Sequence, residues 1–250
     1  MKTFIITGTS RGLGEELASQ LLNTAHHVIC LSRSRSEFLQ QKAEEKKAPF
    51  LEIQADLSKA ESIPDLMEHI FSSFRFENLQ GIYLLNNAGT VQPVVPAELA
   101  SAGEMVQNIS VNLIAPMVLT SEFIKRTADI PAEKRIMNIS SGAARKTYEG
   151  WSSYCSSKAG LDHFSRCIAE EQKHRTNGIK CVSIAPGVVD TSMQEHIRSL
   201  EEGKFPQQNR FIKLKEEGKL YSPSFAAEKL LTVLFDDHFG SEVIMDIRDA

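Results

Sequence analysis

The sequence predicts an α/β fold: a parallel sheet with helices on both faces, in one domain spanning residues 1–250. Three observations predict it. Short apolar runs alternate with longer amphipathic stretches from one end of the chain to the other, which is the rhythm of βαβ units. The runs are mostly apolar throughout rather than alternating, as in Phe4-Ile5-Ile6, Val28-Ile29-Cys30 and Val182-Ser183-Ile184. Such strands suit a sheet covered on both sides. Finally, a glycine-rich turn follows the first run directly and opens a helical pattern.

The elements follow in order. Strands are predicted over Thr3–Thr7, His27–Leu31, Phe50–Ala55, Gly81–Asn86, Arg135–Ile139, Lys180–Ala185 and Glu242–Asp246. Helices are predicted near Leu13–Leu22, Ser36–Lys46, Glu61–Phe74, Met105–Thr127, Ser152–Arg175 and Ser224–Asp236. No internal repeat, low-complexity tract or Pro/Gly/Ser-rich linker interrupts them, so a single domain is expected. One segment breaks the rhythm. Residues 190–222 set two polar clusters, Glu201-Glu202-Gly203-Lys204 and Glu216-Glu217-Gly218-Lys219, around Phe205, Phe211, Ile212 and Leu214. Charge runs are usually solvated faces, but the length and the interleaved aromatics point to a lid over a substrate.

Composition removes several function classes. With 42% hydrophobic residues the chain can bury a core and is not disordered. A net charge of −4, from 28 Lys+Arg against 32 Asp+Glu, lacks the basic excess of a nucleic-acid binder. The four cysteines (Cys30, Cys155, Cys167 and Cys181) form no CxxC pair and read as reduced thiols. No stretch approaches the ~18 apolar residues of a membrane span, nor does the N-terminus resemble a signal peptide. A cytoplasmic protein with no membrane partner is expected. The seven histidines show no spacing suited to zinc, so no metal is expected.

The turn Thr7-Gly8-Thr9-Ser10-Arg11-Gly12-Leu13-Gly14 carries the first chemistry. Its glycines let the backbone approach a pyrophosphate, whose charge meets the free N–H groups of a helix N-terminus. An acidic residue about 20 positions past the glycines would hold the ribose 2′-hydroxyl of NAD. That position carries Ser32-Arg33 here, and no Asp or Glu appears until Glu37. With Arg11 and Arg33 available to pair with a 2′-phosphate, NADP(H) is the expected cofactor.

A second constellation carries the reaction. Tyr154 and Lys158 stand at i and i+4 of a predicted helix, hence on one face. A cation beside a phenol favours the phenolate and brings its pKa toward neutrality, fitting it for acid–base work. Thirteen residues before Tyr154, Ser140-Ser141-Gly142 ends a strand, and Asn86-Asn87-Ala88-Gly89 ends another. Both motifs therefore fall at the carboxyl edge of the sheet, where open α/β sheets bind ligands.

Together these residues resemble the short-chain dehydrogenases/reductases over essentially the whole chain. The matching signatures are Thr7-Gly8-x3-Gly12-x-Gly14, Asp56-Leu57, Asn87-Ala88-Gly89, Asn112, Ser141, Tyr154-x3-Lys158 and Pro186-Gly187-x3-Thr191. The resemblance implies a Rossmann-type doubly wound sheet of seven parallel strands and a homodimer or homotetramer. It implies Tyr154 as the acid that protonates a carbonyl oxygen, with Ser141 donating a hydrogen bond to that oxygen. It further implies that Lys158 bonds the nicotinamide ribose and lowers the Tyr154 pKa, while Asn112 holds a relay water. The implied cofactor set adds Asp56, Leu57, Asn87, Ala88, Gly89, Pro186, Gly187, Val189, Thr191 and Met193 to Gly8, Ser10, Arg11, Gly12, Leu13, Gly14, Ser32 and Arg33, with Tyr154 and Lys158 serving both roles.

Within the family the likeness is to sepiapterin reductases and to bacterial relatives that reduce vicinal diketones such as benzil. It is carried by Asn86–Thr90, Ser140–Ala144, Pro186–Met193 and Asp246-Ile247-Arg248-Asp249. The expected substrate is a small carbonyl compound, first a vicinal diketone and alternatively a pterin side chain. Trp151, Met193 and Phe205 are candidate walls for a flat substrate, or else packing residues. Asp246 either anchors the substrate or caps the strand end. A cofactor-binding regulatory protein without turnover is the rival of a different class, and the complete Asn112, Ser141, Tyr154, Lys158 set argues against it.

Overall fold

The computed structural model describes residues 1–73, 79–201 and 205–249; Phe74, Glu202-Gly203-Lys204 and Ala250, named above, lie outside them. Seven strands form one sheet: β1 Lys2–Thr7, β2 His26–Ser32, β3 Phe50–Gln54, β4 Gly81–Asn86, β5 Glu133–Ile139, β6 Lys180–Ala185 and β7 Ile244–Asp246. Their spatial order is β3-β2-β1-β4-β5-β6-β7, and every neighbouring pair is parallel. The helices are α1 Gly12–Leu21, α2 Glu37–Lys46, α3 Ile63–Ser72, α4 Ala102–Ile109, α5 Ala115–Thr127, α6 Ser152–Gln172, α7 Ser192–Arg198, α8 Gln208–Glu216 and α9 Pro223–Phe235.

The continuous apolar runs are explained by two-sided burial. Phe4 and Ile6 of β1 enter one core with Val28, Cys30, Tyr83 and Leu85, packed under residues of α1, α2 and α9. Ile5 points the other way, into a second core with Ile29, Leu31, Ile82 and Leu84, closed by α3, α5 and α6. Because successive strand side chains alternate faces, each residue of such a run serves a core. The single-domain, doubly wound Rossmann-type fold is therefore as the sequence predicts. The strand order reverses between β1 and β4, which opens a crevice at their carboxyl ends.

Two elements differ from expectation. The predicted helix Met105–Thr127 is not continuous: α4 and α5 are joined by a π-helical turn over Ser110–Ile114. The start lies earlier because Ser101 and Glu104 form a reciprocal capping box. The interruption has a local cause, since Pro116 lacks an N–H and cannot close the ordinary bond to the carbonyl of Asn112. The described residues of the segment 190–222 also hold two helices that its polar sequence does not predict, α7 and α8. Asp190 ties the segment together through Arg198 of α7, at 3.3 Å, and Lys215 of α8. Beneath these helices a third apolar cluster gathers Val91, Val94, Trp151, Tyr154, Ile197, Phe205 and Phe211. Among the described residues no helix is long and apolar enough to cross a membrane.

Candidate active site

A cleft of about 650 Å³ lies over the carboxyl ends of the strands. The glycine turn forms one end. Gly8 and Gly12 have φ of +73° and +65°, a region open to glycine at little steric cost. Gly14 is required for a different reason: a Cβ there would meet the Gly8 carbonyl oxygen at 2.2 Å and Asn87 Nδ2 at 2.4 Å. Asn87 Nδ2 donates to the Thr7 and Gly8 carbonyls at 2.9 and 3.2 Å. The Thr7 hydroxyl in turn accepts from the N–H groups of Asn87 and Ala88. These bonds lock the turn after β1 to the turn after β4. No side chain caps the N-terminus of α1, which leaves its first N–H groups available to an anion. Arg11 and Arg33 are exposed at this end. Asp56 also lines it, its carboxyl held low by the Ser58 hydroxyl and N–H. The residues present thus fit a nicotinamide dinucleotide.

At the centre of the cleft stand Ser141, Tyr154 and Lys158. Tyr154 and Lys158 are 7% and 4% exposed. The Lys158 ammonium donates to the Ile139 carbonyl at 2.7 Å and lies 5.9 Å from the centre of the Tyr154 ring. Burial pushes the Tyr154 phenol above its ordinary pKa, and a hydrogen bond with Ser141 pulls it partly back. Burial also pushes Lys158 down, to about 8, against the opposing pull of Asp162. The expected net depression of the Tyr154 pKa is therefore corrected: in this dry site burial outweighs the groups that favour the phenolate.

Every cofactor, catalytic and substrate residue predicted from the sequence lines this cleft except Asn112 and Phe205. The Asn112 carboxamide is fully buried. It accepts from Thr90 N–H at 2.8 Å and donates to Thr90 O, Asn108 Oδ1 and Ser157 Oγ. Its side chain fastens the π turn to α6 and to the loop after β4, so it does not itself face the cleft. Phe205 is 2% exposed and stacks behind Trp151 at 4.9 Å; it supports the wall and does not line it. Phe211, from the same polar segment, lines the cleft in its place, with Tyr148, Trp151 and Met193. Tyr148 carried no signal in the sequence, because its position depends on the loop before α6.

Asp246 lines the cleft and is already bonded. The Arg248 N–H and guanidinium donate to its carboxylate, and these bonds hold the acid below the usual carboxylate range.

Residues 2–202 match the family model described as short chain dehydrogenase. The chain belongs to the short-chain dehydrogenases. Among its relatives in that family is a benzil reductase ((S)-benzoin forming) of Bacillus cereus, 42% identical over 249 residues, all of both chains. A sepiapterin reductase of Rattus norvegicus is 32% identical, over 98% of this chain and 95% of its own. The crystal structure of the KRED1-Pglu enzyme superposes with a TM-score of 0.81 at 30% identity, covering 96% of this chain and 98% of its own. This short-chain dehydrogenase is accordingly an oxidoreductase of the carbonyl-reductase type, and the family uses a nicotinamide cofactor.

Proposed function

We propose that the protein is an NADPH-dependent reductase of small ketones whose preferred substrate is a vicinal diketone, one carbonyl of which becomes an alcohol. The observation that carries the reading is the set of Ser141, Tyr154 and Lys158 at the centre of a cleft walled by Tyr148, Trp151 and Phe211. The likeness to a benzil reductase over the whole chain supports the choice of diketone. The bound cofactor supplies hydride to the carbonyl carbon. Tyr154 donates the proton to the carbonyl oxygen, and the Ser141 hydroxyl holds that oxygen as charge develops on it. Lys158 keeps a positive charge beside the cofactor ribose and the phenol, and Arg11 and Arg33 receive the 2′-phosphate. Residues 190–222 act as the lid, and a homodimer or homotetramer is the proposed assembly.

Parallel assays with benzil and with sepiapterin, each with NADPH and NADH, test the reading. Benzil with NADPH is expected to give the highest kcat/KM. A higher kcat/KM with sepiapterin moves the substrate to a pterin, and a preference for NADH removes the roles of Arg11 and Arg33.

The pH dependence follows from Lys158. Its pKa is lowered to about 8, so its positive charge is present below that pH and is lost as pH rises through it. The Tyr154 phenol, raised by burial, stays protonated over the same interval. Reduction should therefore run at its plateau from about pH 6 to 7 and fall through about pH 8. A basic limb above pH 9.5 in kcat/KM for the carbonyl substrate would contradict the assignment.

A further inference from the structure

Asp162 lies on α6 one turn beyond Lys158 and is 3% exposed. One carboxylate oxygen accepts from the Ser140 hydroxyl at 2.5 Å and from the Ser183 hydroxyl of β6 at 2.7 Å. The other faces Arg145 Nε at 3.6 Å. Ser140 and Arg145 bracket the short turn that contains Ser141. A single carboxylate thus grips both ends of that turn. The grip comes from the helix that carries Tyr154 and Lys158. Packing alone does not call for a carboxylate here, because an apolar residue of similar volume serves a buried position as well or better. What the carboxylate adds is direction and charge.

We propose that Asp162 is a positioning residue for the reduction, fixing the Ser141 hydroxyl against the Tyr154 phenol through Ser140 and Arg145 and supplying the counter-charge to Lys158. The inference rests on the reductase reading above. The charged and titratable groups around it, among the described residues, come from three elements. Lys158 lies one turn back on α6 and feels the Asp162 charge, Arg145 faces it from the turn after β5, and Asp246 acts on that same arginine from the end of β7. Strands β5 and β6 present neutral groups, the Ile139 carbonyl and the Ser183 hydroxyl. Arg145 also donates to the Met245 carbonyl at 2.7 Å, so it stays anchored when the carboxylate is changed.

Two variants separate the two duties. Ser140→Ala removes the hydroxyl grip and keeps the charge. Its kcat with benzil and NADPH should fall about tenfold, with KM for NADPH unchanged within twofold, because sub-ångström misplacement of a reacting group costs rate rather than binding. Asp162→Asn keeps an oxygen for Ser140 and Ser183 and removes the charge. It should move the basic limb of kcat/KM for benzil down by about one pH unit, since Lys158 loses the partner that favours its protonated form.

Thermal midpoints and NADPH titration of both proteins give the folded, cofactor-competent fraction. A Ser140→Ala loss that merely tracks this fraction, or an Asp162→Asn limb at the wild-type pH, makes Asp162 a structural residue and overturns the inference. Should Asp162→Asn not fold, Ser140→Ala decides the positioning role alone. A wild-type protein inert toward benzil but active on another carbonyl compound overturns the diketone reading, and the variants are then compared on that compound. A wild type that reduces no carbonyl compound overturns the reductase reading and this inference with it.

Discussion

Tyr154→Phe should lose about 10²- to 10⁴-fold in kcat for carbonyl reduction while retaining its affinity for NADPH. The substitution removes one oxygen and leaves the ring, which packs edge-on against Trp151 with centroids 5.5 Å apart. No cavity opens and no partner is stranded in the core, because the phenol faces the cleft beside Ser141. The loss should therefore appear in the chemical step and not in folding. Its size depends on whether another acid can reach the substrate oxygen. Lys158 is committed to the Ile139 carbonyl, and Asp246 is held ionised by Arg248. The Cys155 thiol is pushed up by burial and bonds the Lys146 carbonyl. None of these is a ready substitute. Steady-state kinetics with benzil and fluorescence titration with NADPH provide the check. A Tyr154→Phe protein with kcat within threefold of wild type would remove the acid role.

The parts of the fold legible in the sequence were those whose physics is local. Strand β4, predicted as Gly81–Asn86, has those bounds, because Gly81 and the Asn-Asn-Ala-Gly motif punctuate a run that is apolar on both faces. The break between α4 and α5 was missed because the apolar periodicity runs through it. The signal was one residue, Pro116, whose effect falls on a carbonyl four positions earlier. Helices α7 and α8 were missed for the opposite reason. Their sequence is mostly polar, and they are held by tertiary contacts: Ile197, Phe205 and Phe211 under Trp151, and the ion pairs of Asp190.

The site divides in the same way. Spacing placed Tyr154 beside Lys158, since i and i+4 share a helix face in any context. The direction of the tyrosine shift was not legible, because it depends on how completely the helix face is buried. Nor could the sequence say which lid aromatic meets the substrate. Phe205 and Phe211 are equivalent as letters. Only the packing against Trp151 turns Phe205 inward, at 4.9 Å, and leaves Phe211 on the cleft. Asp162 carried no sequence signal, because its partners Ser140 and Arg145 come together with it only when β5 and α6 pack.

The second large effect is expected at Gly14. A methyl group at this position would sit 2.2 Å from the Gly8 carbonyl oxygen and 2.4 Å from Asn87 Nδ2. Neither neighbour can swing aside. The first is backbone of the turn, and the second is the amide that bonds Thr7 and Gly8 at 2.9 and 3.2 Å. Gly14→Ala must then displace the turn from the N-terminus of α1, where the free N–H groups converge. Losing even one charge-assisted hydrogen bond to the pyrophosphate, about 1.5–3 kcal/mol, should lower NADPH affinity roughly 10- to 100-fold. Overpacking of about 1–3 kcal/mol should lower the thermal midpoint by several degrees.

Gly103→Ala is the matched control. A Cβ there meets nothing within 4 Å, and the residue lies in α4, where alanine is the better helix former by up to about 1 kcal/mol. It should bind NADPH as the wild type does and melt at the same temperature or slightly above it. Equal NADPH affinity in the two alanine variants would mean that the turn after β1 does not hold the cofactor. A loss confined to Gly14→Ala ties the pyrophosphate to that turn, since both proteins carry the same added methyl group and differ only in what it strikes.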